Sequence, residues 1–287
     1  MKKLFLKIKK LFRLSYNFIF IHRFPKFMRF SSYPYLTGDT LRKFSDHIYD
    51  ETKTFSPEKV AINDLVFVKS DMLDKYFNSV HKNINSQYRL LTHNSDENID
   101  SKYISFKDDK IQIWYAQNLL LGGDKFFRPM PIGLENRRYL NNGLLNHFKF
   151  KQTIVKNSYI LCSFDNKNIE RTKIKEIAGS KDLIKVERFD NHKIYIKNLA
   201  HYKFNICPPG NGIDTHRIWE SLLVGTVPIV KKNEFTTNLI NNSVPLLELE
   251  NWNDLLSYNK KQLDKIYFNL SSKFDMQEVT KVNHWLN

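Results

Sequence analysis

The residues best suited to chemistry lie in one stretch, residues 207–230, which reads CPPGNGIDTHRIWESLLVGTVPIV. Its first part holds two prolines and two glycines, and glycine lets a tight turn bring the backbone close to a ligand. A helix follows, for which Asp214 or Thr215 can serve as the N-cap. The free N–H groups and partial positive charge of a helix N-terminus favour a bound phosphate. The stretch therefore predicts an anion-binding loop between a strand and a helix.

The polar residues of that helix fall on one face. At roughly 100° per residue, Arg217 and Glu220 lie with His216, opposite the apolar residues. One interpretation is that Arg217 neutralises a diphosphate while Glu220, one turn farther on, accepts hydrogen bonds from a ribose. The alternative is a solvated face with an Arg–Glu pair that contributes about a few tenths of a kcal/mol. The loop favours the first interpretation, because such a turn is costly unless something must approach its backbone.

Strands alternate with helices on both sides of this stretch, which indicates parallel sheets with ligand sites beyond the carboxyl ends of their strands. The predicted strands are 65–68, 88–91, 111–115, 127–132, 159–164, 183–186, 202–206, 226–230 and 244–249. The predicted helices begin near 40 and 70, then cover 168–178, 192–199, 215–224, 252–258 and 261–287. His93, Asp96 and Glu135 follow directly after predicted strands.

The motif resembles the donor site of bacterial exostosin-like glycosyltransferases, which tend to carry a GNGIDTHRxWE run followed by G-[ST]-x-P-I-V. Here residues 210–217 read GNGIDTHR, Trp219 and Glu220 follow, and 225–230 read GTVPIV. Fucosyltransferases have a related segment that ends in a similar strand, but they normally carry a Glu-Lys pair at the positions of His216 and Arg217. The resemblance covers under a tenth of the chain.

The resemblance implies an α/β protein of the GT-B fold, with two Rossmann-like domains facing a cleft. The residue pattern at the N-terminus adds a basic amphipathic helix. The expected division is a basic segment 1–30, an acceptor domain 31–150, a nucleotide-sugar domain 151–265 and a helix 266–287 that packs back on the first domain. The substrate would be a UDP- or GDP-linked sugar, with no other cofactor. The donor-binding residues would be Ser163, Gly210, Asn211, Gly212, Asp214, Thr215, His216, Arg217 and Glu220.

Sugar transfer also needs a base that takes the proton of the acceptor hydroxyl. His93 and Asp96 are the candidates, since they follow a strand of the first domain that would face the donor domain. Asp96 could instead cap a turn, and His93 could be a satisfied strand-end histidine or a substrate contact. Arg217 is the third predicted catalytic residue, as the cation on the departing diphosphate. Predicted acceptor or interdomain residues are Asp39, Glu135, Asn136 and Arg137, of which Asp39 and Glu135 are reserve bases.

The chain contains no Asp-x-Asp, the motif with which many single-domain glycosyltransferases hold a divalent metal on the diphosphate. The glycine loop and Arg217 offer another source of positive charge. We therefore expect metal-independent transfer. The two cysteines, Cys162 and Cys207, predict neither a disulfide framework nor a zinc site and fit a reducing compartment.

Most of the net charge of +15 lies at the N-terminus. Residues 1–30 hold nine Lys and Arg residues, no Asp or Glu, and an apolar stripe of Leu4, Phe5, Ile8, Leu11 and Phe12. This pattern predicts a helix on an anionic membrane surface, without a run that spans the bilayer or a signal-peptide cleavage site. The alternative is a solvated extension. A nucleic-acid binder would spread its charge over the fold, so nucleic acid is not an expected partner.

Together these patterns predict a glycosyltransferase on the cytoplasmic face of the inner membrane. It would transfer a sugar, with inversion, to a glycan or lipid-linked acceptor in envelope polysaccharide synthesis. One alternative is a fucosyltransferase-like enzyme that uses a GDP-sugar. Another is a non-catalytic module that binds a nucleotide-sugar or a glycan.

Overall fold

The computed structural model describes residues 29–150, 154–166 and 168–286, together with positions 8, 11, 12, 14–16, 18 and 19. Most of the predicted amphipathic N-terminal helix therefore lies outside the described residues. Of its apolar stripe, Ile8, Leu11 and Phe12 are described, and all three are helical and exposed. No helix in the described part of the chain is both long and apolar enough to cross a bilayer.

The first unit of the fold is a five-stranded parallel sheet. Its strands are β1 (His47–Tyr49), β2 (Leu65–Lys69), β3 (Tyr88–His93), β4 (Ile111–Ala116) and β5 (Phe127–Pro129). They lie side by side in chain order. The apolar run of β2 is fully buried, as expected for a parallel strand covered on both faces.

The second unit is another five-stranded parallel sheet. Its strands are β6 (Ser158–Cys162), β7 (Ile184–Val186), β8 (Tyr202–Ile206), β9 (Val227–Lys231) and β10 (Leu247–Leu249). The strand order is β7–β6–β8–β9–β10. The chain therefore runs from β6 to β7 on one side and then crosses over to place β8 on the other side of β6. Such a switch point opens a crevice at the carboxyl ends of β6 and β8, where ligands of open α/β sheets bind.

Helices cover these sheets. The α-helices are α1 (Gly38–Phe44), α2 (Leu73–Ser79), α3 (Ile169–Gly179), α4 (His192–Leu199), α5 (His216–Leu223), α6 (Glu234–Asn241), α7 (Lys260–Lys273) and α8 (Val282–Trp285). Short 3-10 helices are Pro57–Lys59, Ser70–Met72, His81–Asn83, Ser101–Phe106, Arg137–Tyr139, Leu145–Phe148, Trp252–Leu256 and Glu278–Thr280. The two parallel sheets confirm the predicted α/β class with two Rossmann-like units, which is the arrangement of the GT-B fold.

Several local predictions were wrong. Strand β1 was not predicted, and its three residues are too few to show a periodic pattern. The helix predicted to begin near 70 starts at Leu73, because a 3-10 turn precedes it, and the Ser70 hydroxyl donates to the carbonyl oxygen of His93 at 3.5 Å. The segment 252–258 forms a 3-10 helix, and 261–287 is divided between α7, a 3-10 turn and α8.

Hydrogen bonds join the two units directly. On α6, the side-chain oxygen of Asn238 accepts from the backbone N–H of Gly123 at 2.7 Å, and its amide donates to the carbonyl of Leu121 at 2.8 Å. Near the C-terminus, Thr280 O accepts from Leu36 N at 2.8 Å. One buried apolar cluster also includes residues of both sheets. These contacts fix the position of one sheet relative to the other.

Candidate functional site

A large cavity of about 570 Å³ lies where the two units meet. Its walls come from the loop after β6, the loop before α4, the start of α5, and four positions of the first unit. The residues used below that line it are Asp96, Ile132, Ser163, Asp165, Arg171, Arg188, Asp190, His192, Gly210, Asn211, Gly212, Asp214, Thr215, His216, Arg217 and Glu220. All nine predicted donor-binding residues are among them, so the fold brings Ser163 to the loop that lies about fifty residues farther along the chain.

The glycine loop is held against the first unit. Gly210 N–H donates to the carbonyl of Gly212 at 3.0 Å, which closes the turn. A Cβ atom at Gly212 would lie 2.9 Å from the amide nitrogen of Asn118, so a larger residue would push that side chain away. The Asn118 side chain in turn accepts from the backbone N–H of Asp214 at 3.0 Å. The loop conformation therefore depends on the first unit.

Asp214 is a buried connection between the units, and the N-cap of α5 is Thr215, which corrects the predicted role of Asp214 as helix cap. One carboxylate oxygen accepts from Ile132 N at 2.7 Å, and the other accepts from the indole N–H of Trp219 at 2.9 Å. Burial raises the pKa of Asp214 to about 6. Thr215 occupies the N-cap position of α5, but its side chain makes no capping hydrogen bond. The backbone N–H groups at the start of α5 therefore remain unsatisfied by a cap.

Two guanidinium groups flank this loop. Arg217 Nε donates to the carbonyl of Ser163 at 3.1 Å, and Arg171 Nε donates to the carbonyl of Pro209 at 3.0 Å. Arg171 is only 3% exposed. Burial, and then the nearby charge of Arg217, lower the pKa of Arg171, and both residues line the large cavity. Within the described residues, neither guanidinium forms an ion pair with a carboxylate.

The carboxylates around the cavity do not offset these cations directly. The Asp214 carboxylate accepts a hydrogen bond from Ile132 N of the first unit, and the Asp165 carboxylate lies 3.4 Å from the Arg188 guanidinium at an exposed edge. Asp96 and Asp190 are exposed at the rim. Arg171 and Arg217 therefore have no ion-pair partner at the glycine loop within the described residues, although Asp165 and Glu220 interact with them electrostatically.

Glu220 was predicted to lie on a polar helix face, and the structure buries it. Its carboxylate accepts a hydrogen bond from His192 Nε2 at 2.9 Å, and His192 Nδ1 lies 2.9 Å from His147 Nδ1. Burial alone would raise the pKa of Glu220, but the hydrogen bond from His192 and the nearby charges of His192 and Arg217 lower it. Glu220 is therefore an ionised, oriented acceptor on the wall of the large cavity.

A small cavity of about 220 Å³ adjoins the large one, and Asp96, Ile132 and His216 line both. His93 lines the small cavity and does not line the large one. Its Nε2 lies 2.9 Å from the carbonyl of Pro131, and its buried Nδ1 has no hydrogen-bond partner in the described part of the chain. Burial lowers the pKa of His93 to about 4.

The predicted acceptor or interdomain residues have mostly structural contacts. Asp39 is buried, accepts from Arg29 at 2.9 Å, and has a pKa that burial raises to about 6. Glu135 accepts from the backbone N–H of Asn142 at 2.7 Å, and Arg137 donates to the carbonyl of Ser31 at 3.2 Å. None of these three lines either cavity. Asn136 does line the small cavity, where its side chain accepts from Asp39 N at 2.7 Å.

Among the residues that sequence reasoning missed are Arg171 and His192, which line the large cavity, and Asn118, which contacts its glycine loop. Arg171 and His192 lie in helices that were predicted correctly, but nothing in the local pattern separates them from solvated residues on those helices. Asn118 follows β4 with a φ of 54°, in the left-handed region. An Asn after a predicted strand could have been recognised as a turn residue, but its contact with Gly212 could not.

No cluster of three or more His, Cys, Asp or Glu residues suited to a metal ion occurs among the described residues.

Comparisons with known proteins give likeness of fold only. No family model matches the chain. No curated protein sequence matches it either. Among solved structures, the chain is similar to the GtfA/B complex, with a TM-score of 0.40 and 11% identity over 79% of this chain; it spans 57% of that longer chain. It is also similar to an alpha1,3-fucosyltransferase, with a TM-score of 0.34 and 14% identity over 82% of this chain and 74% of the other.

Proposed function

We propose that this protein is a glycosyltransferase whose large cavity binds a nucleotide-sugar. The observation that carries the proposal is the pair of guanidinium groups, Arg171 and Arg217, which flank the glycine loop without a carboxylate partner in the described residues. Two adjacent cations at an uncapped helix N-terminus fit a diphosphate, since each oxygen can accept charge-assisted hydrogen bonds. The exostosin-like motif that contains Arg217 supports the same donor class.

The remaining wall suits the nucleoside. Glu220 carries an oriented carboxylate, held by His192, that can accept hydrogen bonds from the two hydroxyl groups of a ribose. The cavity also has room for more than a diphosphate, because about 570 Å³ falls within the range of small-molecule sites. We propose that the sugar lies toward the small cavity, where an acceptor can approach it.

The proposed reaction is a single displacement that inverts the anomeric configuration. The acceptor oxygen forms a bond to the anomeric carbon while the bond from that carbon to the diphosphate breaks. Arg171 and Arg217 stabilise the charge that develops on the departing diphosphate. We propose that no metal is required, because these cations supply that stabilisation. The acceptor would be a glycan or a lipid-linked glycan of the cell envelope.

We further propose that the N-terminal segment holds the enzyme on the inner face of the cytoplasmic membrane. Its nine basic residues and the exposed Ile8, Leu11 and Phe12 support this location. A peripheral position there would raise the concentration of lipid-linked acceptors near the cavity.

The experiment is a thermal-shift panel with UDP, GDP, CMP and dTDP and their common sugar derivatives. A ligand at about a hundred times its Kd stabilises the native state by about 2.7 kcal/mol. For a chain of this size, that corresponds to a rise in Tm of about 5–10 °C. Substitution of Arg171 should abolish the shift, and Lys173→Ala is its matched control, because it removes an exposed cation from the same helix. A Tm that none of the nucleotides moves would contradict the proposal.

Binding and turnover must then be separated. Release of the nucleoside diphosphate from the sugar donor, with water or a soluble glycoside as acceptor, shows transfer. Nucleotide binding without any release would identify a non-catalytic nucleotide-sugar-binding module instead.

A further inference from the structure

We propose that His216 is the general base of the transfer reaction, an inference that rests on the proposed function. His216 is the first residue of α5 and lines both the large and the small cavity. The acceptor hydroxyl must meet the anomeric carbon where the donor and acceptor spaces join. Only Asp96, Ile132 and His216 line both spaces among the described residues, and of these an imidazole is the usual base near neutral pH.

The position of the ring proton follows from one hydrogen bond. His216 Nδ1 lies 2.7 Å from the carbonyl oxygen of Gly133. A carbonyl oxygen can only accept, so Nδ1 carries the hydrogen and Nε2 of the neutral ring keeps its lone pair. No other described residue forms a hydrogen bond with the His216 side chain. Nε2 is therefore available as the acceptor of a proton, and the bond at Nδ1 fixes the plane of the ring.

The carbonyl that orients His216 is itself held rigidly. Gly133 has a φ of +65°, and a Cβ atom there would lie 2.1 Å from the carbonyl oxygen of Leu36. Only glycine fits this backbone conformation without strain. The next residue, Leu134, donates its N–H to the same Leu36 oxygen at 2.9 Å. The first unit thus sets the tautomer of a residue on the second unit.

The two bases predicted from the sequence are less well placed. His93 does not line the large cavity, and its low pKa, about 4, reflects complete burial that disfavours the imidazolium. Asp96 does line both cavities, but it is exposed at the rim. Asp96 is therefore the competitor that the experiment must separate from His216.

The charged and titratable neighbours of His216 come from five segments of the chain. The acids are Asp96 on the loop after β3, Asp214 before α5 and Glu220 on α5, and the cation is Arg217. His93 at the end of β3 interacts electrostatically with His216. Arg138 and Tyr139 stand across the small cavity.

The step balances as a single displacement. The hydroxyl oxygen of the acceptor, or of water, bonds to the anomeric carbon, and its proton passes to His216 Nε2. The bond between the anomeric carbon and the diphosphate oxygen breaks, and its electron pair leaves on the diphosphate beside Arg171 and Arg217. The imidazolium then loses its proton to solvent.

The test variant is His216→Asn in the full chain. The amide nitrogen of Asn can take the place of Nδ1 and still donate to Gly133, but Asn has no group at the position of Nε2. The assay follows hydrolysis of whichever of UDP-glucose, UDP-N-acetylglucosamine, GDP-mannose and GDP-fucose the protein turns over. We expect kcat to fall about 100- to 10,000-fold, as for the loss of a general base, while the donor KM changes less than about threefold. The rise of kcat with pH at the acidic side should also disappear.

The controls are His93→Gln, which keeps a donor to Pro131 at the position of Nε2, and Asp96→Asn. Both should retain the pH dependence of the wild type. The assignment is overturned if His216→Asn keeps more than a third of the wild-type kcat. It is also overturned if the acidic limb survives in that variant and is lost in Asp96→Asn or His93→Gln. Failure of the proposed function looks different, because the wild type would then neither bind nor release a nucleotide.

Discussion

Replacement of Arg217 by Ala separates catalysis from folding. The only hydrogen bond from Arg217 to the described protein runs from Nε to the carbonyl of Ser163, and the side chain is half-buried without an ion pair. Loss of one such bond costs about 0.5–1.5 kcal/mol of unfolding free energy, so Tm should fall by no more than about 2–6 °C. The fold should therefore survive the substitution.

The effect on transfer should be larger. Removal of one preorganised donor to a developing charge costs about 2–4 kcal/mol of transition-state stabilisation. At 1.36 kcal/mol per tenfold change in rate, kcat/KM should fall about 30- to 900-fold. Arg171→Ala should differ, because Arg171 is buried and also holds the carbonyl of Pro209, so it should lower both stability and activity.

The assay is release of nucleoside diphosphate, with unfolding followed on the same samples. Lys173→Ala, on the exposed side of α3, controls for the loss of a positive charge and should behave as the wild type. In the double variant, the losses from Arg171 and Arg217 should not add if both contact one diphosphate. Folded Arg217→Ala protein with kcat/KM within threefold of the wild type would refute the assignment of the diphosphate site.

Four further predictions follow from the same features. Glu220→Gln should raise the donor KM more than it lowers kcat, because the carboxylate faces the proposed ribose; equal loss in both would point to a structural role. Activity should survive EDTA, and a strict need for Mn²⁺ or Mg²⁺ would contradict metal independence. Burial lowers the pKa of Lys156 to about 7. The unfolded state therefore binds more protons than the folded state between about pH 7 and 10.5, and the free energy of unfolding should rise with pH across that window. Urea titrations of Lys156→Met should no longer show this rise. The full chain should bind anionic vesicles and leave them at about 1 M salt, where the Debye length is about 3 Å. A chain that begins at Met28 keeps the Arg29–Asp39 ion pair and should stay in solution. Full-length protein that does not bind such vesicles, or that needs detergent for release, would contradict the surface location.

The sequence alone determined the second sheet and its glycine loop in most respects. Helix α4 was predicted at its observed bounds, and α3 begins after Asn168, whose side chain accepts from Arg171 N as an N-cap should. These features are local, because caps, glycines and apolar periodicity act within a few residues of the chain. The same local signals indicated two parallel sheets, and the resemblance of the motif to exostosin-like enzymes implied the nine donor-binding residues that line the large cavity.

Tertiary structure decided which of those residues are available for a ligand. Asp214 has the sequence context of a cap, yet its carboxylate accepts hydrogen bonds from Ile132 N and the Trp219 indole. Arg171 looks like a solvated helix residue, yet it lies beside Arg217 because β6 and β8 are neighbours in the sheet. His216 faces the junction of the cavities only because a glycine of the other unit, 83 positions earlier, offers its carbonyl. Hydrogen bonds between residues far apart in the chain depend on the packing of both sheets, and no periodicity within either partner's segment encodes them.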